Sequence, residues 1–349
     1  MSNQIKLFQT DRIWADIGAE IIDLVNSSHA LGQAQNGDIT LLLEQTLASR
    51  FNRRHCVTTA NCTDALTISL IALDLGPDAG VAVGNYTFTA SAHAIARAGY
   101  QVVPVDVDSN YCIDPEEVQA LDAVVAVDLF GNMSDYQRLQ QLGIPIIVDA
   151  AQSLESKDAD DNWSAEYGIA SCISFSPSKT ISSWGSGGAI LTDDDEFANN
   201  CRKLRLHGKV SNDQIAIHPG LNSMMSSMEC ASVLVGLKYA DQWHQRRQQI
   251  ADYLINFSRH PTALDISLPQ HTYSKLVFQS LQRDLTIEKF KNQKIDCVVH
   301  YNTLINNESL YQTLGTYNKS DYLKSTSFTV PNQHTLTDDE VERIAKALQ

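Results

Sequence analysis

Ser174-Phe-Ser-Pro-Ser-Lys179-Thr-Ile-Ser-Ser-Trp-Gly-Ser-Gly-Gly188 is the stretch on which the reading of this chain turns. It follows an apolar run, Ile169 to Phe175, with the composition of a buried strand, and it sets one basic residue between that run and a Ser/Gly-rich loop. A lysine is ordinarily a solvated surface charge, but these flanks aim Lys179 at a ligand instead of bulk water. Upstream, a second apolar run, Pro145-Ile-Ile-Val148, ends in Asp149-Ala-Ala-Gln152. A lysine and a carboxylate, each delivered by the end of a buried strand, are the two groups that pyridoxal phosphate chemistry needs. The lysine forms the Schiff base, and the aspartate keeps the pyridinium nitrogen protonated so that the ring can act as an electron sink.

Outward from these two positions, short apolar runs alternate with helical patterns over residues 55–210. Val81–Val83, Gln101–Val105, Ala123–Val127, Ile144–Val148, Ala170–Phe175 and Gly188–Thr192 read as strands, with helices near 89–98, 115–121, 134–142 and 194–206. A further helix, Asp64 to Leu75, is apolar nearly all round and is opened by Thr63 or Asp64 as a cap. The expected fold class is α/β, a large domain with a mostly parallel sheet flanked by helices on both faces. In such sheets ligands bind beyond the carboxyl ends of the strands, where Asp149 and Lys179 both fall.

The pattern from Ser226 to about Phe257 has no helix breaker and reads as a connector helix. Beyond it, Tyr273–Gln279, Asp296–His300 and Ser327–Val330 read as strands, with helices at Thr286–Gln293 and Thr337–Gln349. Residues 1–240 are therefore expected to form the large cofactor-binding domain with its N-terminal segment. Residues 241–349 would hold the connector and a small C-terminal α+β domain.

The totals narrow the function classes. A length of 349 residues, 43% hydrophobic and 19% charged, is that of an ordinary globular protein. The net charge of −15 argues against a nucleic-acid or anionic-membrane partner, though a phosphate site needs only a few local donors. Seven scattered cysteines without Cys-x-x-Cys suit free thiols in a reducing cytoplasm. The N-terminus shows no signal-peptide core, and no apolar stretch is long enough to span a bilayer. The histidines form no ligand cluster, so no metal is expected, and Gly185-Ser-Gly-Gly188 opens a strand, which excludes a dinucleotide fingerprint.

Four further positions are candidates, each with a plainer explanation. Thr63 at a helix start can hold a phosphate or merely cap the helix. Ser174 can hydrogen-bond the same phosphate or simply end a strand. Phe88, in Asn85-Tyr-Thr-Phe88-Thr-Ala-Ser, can stack on the cofactor ring or fill a core, and Gln152 can reach the ring hydroxyl or sit on the surface.

The order helix cap, aromatic, aspartate with glutamine, then serine with lysine resembles the DegT/DnrJ/StrS family of sugar aminotransferases, within the fold type I (aspartate-aminotransferase-like) pyridoxal phosphate enzymes. The resemblance covers nearly the whole chain. It is carried by Thr63-Asp-Ala-Leu66, Tyr86-Thr-Phe-Thr-Ala90, Leu129-Phe-Gly131, Asp149-Ala-Ala-Gln152, Ser174-Phe-Ser-Pro-Ser-Lys179, Gly220-Leu-Asn222 and Val299-His-Tyr301, among other segments. It implies Lys179 as the Schiff-base lysine, Asp149 as the pyridinium partner, Gln152 at the ring hydroxyl and Phe88 as the stacking aromatic. Cys62, Thr63 and Ser174 would surround the phosphate, and Asn222 would reach the cofactor of a neighbouring subunit in a homodimer with shared sites. The chain departs from the family pattern where Asn61-Cys62 replaces Ser-Gly, Leu154 replaces histidine and Met224 replaces arginine. The implied reaction moves an amino group, with L-glutamate as donor, to a keto-sugar, in most cases nucleotide-linked, for amino-sugar or surface polysaccharide biosynthesis. An eight-carbon sugar acid or an inositol ketone is an alternative acceptor. A deoxygenating dehydratase of the same fold would carry histidine at position 179, and a non-catalytic regulatory paralogue would not need the Lys179–Asp149 pair.

Overall fold

Strands Gly80–Gly84 (β2), Ala123–Val127 (β4) and Ile146–Asp149 (β5) are apolar at almost every position because both of their faces are covered. Val81, Val83, Val125 and Ile147 enter one apolar cluster, while Ala82, Val124, Ala126, Ile146 and Val148 enter another on the opposite face. That division follows the two-residue period of a strand. Each fully buried valine or isoleucine contributes about 1.5–3 kcal/mol, so the central strands anchor the domain. The computed structural model describes residues 4–30, 32–209, 215–216, 219–311, 313 and 315–349.

The chain begins with helices α1 (Thr10–Ala30) and α2 (Asp38–Arg50), then strand β1 (His55–Thr59) and helix α3 (Cys62–Ala72). After β2 come α4 (Ala90–Arg97), β3 (Gln101–Val105), β4, α5 (Tyr136–Gln141), β5, β6 (Ala170–Ser174), β7 (Gly188–Thr192) and α6 (Asp195–Arg205). The seven strands pair in the order β1-β7-β6-β5-β4-β2-β3. All run parallel except β7, which is antiparallel to both of its neighbours. The expected mostly parallel sheet flanked by helices is the observed one.

Helix α7 (Ser227–Phe257) is the expected long helix, started by a capping box in which Ser226 and Glu229 satisfy each other's backbone N–H groups. It packs on α1 through Ala231, Val235 and Trp243 against Ile13, Ile17 and Ile21. Beyond it lie β8 (Leu276–Gln279), α8 (Arg283–Asn292), α9 (Asn318–Thr326), β9 (Ser327–Val330) and α10 (Asp338–Leu348). Strands β8 and β9 form a two-stranded antiparallel sheet.

Three local expectations are corrected. Helix α3 is capped by Asn61, whose side chain accepts from the Asp64 N–H at 2.8 Å, and not by Thr63 or Asp64. Residues 115–121 yield only a 3-10 turn, Pro115–Glu117, because Asp114 caps it and Pro115 starts it with no apolar stripe to extend it. Asp296–His300 forms no strand; among the described residues it holds one bridge, Val298 to Thr329, and a backbone hydrogen bond from the Asp296 N–H to the Ile5 carbonyl. No helix among the described residues is long and apolar enough to cross a membrane.

Candidate active site

The carboxyl ends of β1, β2, β5 and β6 open onto one cleft of about 440 Å³. Asp149 is the last residue of β5 and Ser174 the last of β6, while Phe88 follows β2 and Cys62 and Thr63 begin α3 directly after β1. Lys179 is brought back over the cleft by the turn after β6, held by its own N–H to the Ser176 carbonyl at 3.0 Å. Seven of the eight residues singled out in the sequence thus line one cavity: Cys62, Thr63, Phe88, Asp149, Gln152, Ser174 and Lys179.

Asp149 is 6% exposed. Ser91 Oγ, in the first turn of α4, donates to its Oδ2 at 2.7 Å, and the Ala151 N–H donates to Oδ1 at 3.1 Å. Burial pushes its carboxyl pKa up, against the Ser91 hydrogen bond and the positive charge of Lys179. Lys179 is shifted the other way. Burial lowers its amine, with the Asp149 carboxylate opposing, and its Nζ makes no hydrogen bond or ion pair among the described residues. A lysine left without a partner beside a buried carboxylate is available for covalent attachment.

Gln152 is buried and not the surface residue its composition suggested. Its Oε1 accepts from the Phe130 N–H at 3.1 Å, and its Nε2 donates to the Tyr301 hydroxyl at 3.0 Å. Phe88 is 53% exposed, at the cleft, with its ring 5.4 Å from that of Tyr301. It lacks the enclosure of a core aromatic and offers a free face.

The start of α3 gives the cleft an anion-binding end. The backbone N–H groups of Cys62 and Thr63 have no acceptor among the described residues, and the helix dipole places positive potential there. The glycines after Trp184 act through close packing, not unusual dihedrals. A Cβ on Gly188 would sit 2.6 Å from Cys62 N, so only glycine lets β7 pass this helix end. Burial raises the Cys62 thiol pKa well above its ordinary value, so the residue standing where the family pattern has glycine is a neutral wall of the pocket.

Asn222 does not line this cleft; it is exposed, and its side chain has no partner among the described residues. Nor does it cap α7, which Ser226 does. Its neighbour Ser223 is completely buried and ties the loop to the start of α3, through Oγ to Asp64 at 2.9 Å and through its carbonyl to the Ala60 N–H at 3.1 Å.

Three cleft residues received no role in the sequence reading. Tyr301 partners Gln152, and burial pushes its hydroxyl up to about 12. His300 bonds Thr329 through Nδ1 at 2.9 Å and is held neutral, its pKa lowered to about 3 by burial and by the nearby Lys275 and Lys179. Lys275, just before β8, is the third. The segment Val299-His-Tyr301 was a visible signal for two of them, whereas Lys275 reads as an ordinary strand-edge lysine.

The donors present fit pyridoxal phosphate. An unpaired lysine amine and a buried carboxylate face the same space, and free N–H groups end it where a phosphate would lie. The model of the DegT/DnrJ/EryC1/StrS aminotransferase family matches residues 15–349. A pleiotropic regulatory protein of Geobacillus stearothermophilus is 31% identical over 296 residues, covering 80% of this chain and 79% of that protein. A UDP-2-acetamido-2-deoxy-3-oxo-D-glucuronate aminotransferase of Pseudomonas aeruginosa is 34% identical over 230 residues, covering 63% of this chain and 64% of that enzyme. The crystal structure of ntda from Bacillus subtilis, with bound cofactor PMP, shares the fold at a TM-score of 0.90 and 22% identity, covering 100% of this chain and 85% of that one.

Proposed function

Because the chain belongs to the DegT/DnrJ/EryC1/StrS aminotransferase family, whose enzymes work with pyridoxal phosphate, we propose that this cleft moves an amino group from L-glutamate to a keto-sugar. The acceptor we favour is nucleotide-linked, as in the name of the Pseudomonas relative, and the product an amino sugar for surface polysaccharide. The observation that carries the reading is Lys179, with an amine free of partners, facing the cleft beside the buried Asp149.

When bound, the cofactor supplies an electron sink. Lys179 would hold it covalently, and its amine, when free, would take and return the proton at the substrate carbon as general base and acid. Asp149 would keep the ring nitrogen protonated, with Ser91 and the Ala151 N–H fixing its two oxygens. Gln152, anchored on Tyr301, would meet the ring hydroxyl, and Phe88 would offer its free face to the ring. Thr63, Ser174 and the free N–H groups of Cys62 and Thr63 would take the phosphate.

The protein as purified should be yellow, and borohydride should fix the cofactor to Lys179. Peptide mapping that put the adduct on another lysine would sink the assignment. A relative named as a regulatory protein supports a second, non-catalytic reading, for which the purified protein would be colourless and untouched by borohydride.

Asn222 belongs in this reading to a neighbouring subunit's site in a homodimer. Its exposure, its lack of a partner and the firm anchoring of Ser223 support that role. Mixing inactive Lys179→Ala with inactive Asn222→Asp should regenerate activity, since one site of each mixed dimer would be built from unaltered residues. No recovery after verified subunit exchange removes the shared site.

A further inference from the structure

Lys275 lines the same cleft as Lys179, yet it is only 6% exposed and has no carboxylate partner among the described residues. Its Nζ donates to the backbone carbonyls of Ser178 at 3.2 Å and Ser274 at 3.1 Å and lies 5.0 Å from the centre of the Phe8 ring. The two carbonyls and the ring face hold a cation in place without neutralising it. Among the described residues lining the cleft, Asp149 is the one carboxylate, and it is already bound to Ser91 and the Ala151 N–H. Arg247, the other cation near Lys275, is matched by Glu155 at 2.7 Å. The charge on Lys275 is therefore unmatched.

A buried ammonium without a counter-ion is costly unless it loses its proton or meets an anion. Burial, with Lys179 and then Arg247 as neighbours, lowers its amine to about 7, so an arriving anion would recharge it at neutral pH. The cofactor phosphate would have its own donors at the start of α3 and at Ser174, which follow β1 and end β6. Lys275 comes instead from the segment before β8, beside Phe8 and the carbonyl that precedes Lys179.

We infer that Lys275 binds a carboxylate of the substrate, holding it by a charge-assisted hydrogen bond next to the reacting lysine. Two sources have this chemistry: the amino-acid donor and a sugar acid as acceptor. The inference rests on the transaminase reading only in calling the anion a substrate group.

The test titrates the cofactor-loaded protein calorimetrically with glutarate, the unreactive skeleton of glutamate, and with UDP-glucuronate against UDP-glucose. Lys275→Met keeps most of the length of the side chain and removes its charge; Lys275→Arg keeps the charge. The expected result is a loss of about tenfold or more in affinity for one carboxylate probe in the Met variant, largely restored in the Arg variant, with cofactor content unchanged. Loss confined to glutarate identifies the donor; collapse of the preference for UDP-glucuronate over UDP-glucose identifies the acceptor. Equal affinities in wild type and the Met variant, or a wild type that binds neither carboxylate, overturn the inference. So does loss of cofactor from the Met variant, which would assign Lys275 to the phosphate. A wild type that binds glutarate through Lys275 but shows no colour change with L-glutamate would overturn the transaminase reading and leave this one standing.

Discussion

Asp128 and Asp149 look alike in the sequence and differ in the fold. Each closes an apolar strand, Ala123–Val127 for one and Ile146–Asp149 for the other, and the two strands are neighbours in the sheet. Asp128 is 0% exposed and is not among the residues that line the cleft. Its oxygens accept from the Ser134 N–H at 2.8 Å, the Ser134 hydroxyl at 2.9 Å, Tyr136 at 2.7 Å and Ser164 at 2.6 Å. Asp149 accepts from two donors and turns the rest of its oxygen surface to the cleft. Burial raises the pKa of both, that of Asp128 to about 6. Perturbation alone therefore does not single out Asp149, the carboxylate we propose to work; an incomplete set of donors beside a cavity does.

The largest effect should separate them on turnover. Asp149→Asn is expected to keep the cofactor but lose about a hundredfold or more in kcat, because a neutral amide cannot hold the ring proton. Asp128→Asn should stay within a few-fold of wild type when corrected for the folded fraction. Steady-state kinetics on both variants decide this, and equal losses would break the comparison.

Stability should reverse the ranking. Asp128→Ala leaves a buried N–H and several hydroxyls short of an acceptor, at a cost of about 2–3 kcal/mol in urea unfolding, while Asp149→Ala removes a desolvated carboxylate and should cost less. The pH dependence has a definite sign. Asp128 binds its proton more tightly folded (about 6) than at its ordinary value of 3.8, so the stability this adds is full below that value and lost as pH rises to about 6. Asp128→Asn should flatten the fall between those limits. An unchanged slope would mean that Asp128 does not titrate there.

How much of this was legible follows from the range of the contacts. Gln101–Val105, Ala123–Val127 and Gly188–Thr192 were readable to the residue because strand burial repeats locally along the chain. The sequence places Asp149 and Lys179 at one cleft because the first closes such a run and the second follows one across a short turn. The cap on α3 was misplaced by two or three residues because Asn61, Thr63 and Asp64 are all good cap residues and only the backbone distinguishes them. Lys275 was invisible because Ser178 and Phe8, which bury it, are 97 and 267 residues away in the chain. The partnership of Gln152 with Tyr301 spans 149 residues, so neither side chain names the other locally.

The smallest expected effect is the sharpest test of what the donors around each carboxylate do. Ser91 Oγ stabilises the ionised form of Asp149, so Ser91→Ala should raise that carboxyl further and move the acidic limb of the kcat/KM profile to higher pH, by up to about one unit. The loss would be a few-fold below the limb and vanish above it, because the carboxylate is ionised there with or without the serine. Ser91→Thr, which keeps a hydroxyl, should return the limb toward its original place. The matching change at the other aspartate is Ser164→Ala, which removes a 2.6 Å donor from Asp128. That variant should lower the unfolding free energy and leave the pH profile where it was. A shift of the limb in Ser164→Ala, or none in Ser91→Ala, would mean that the limb does not report Asp149 and that the two carboxylates are not divided between structure and chemistry.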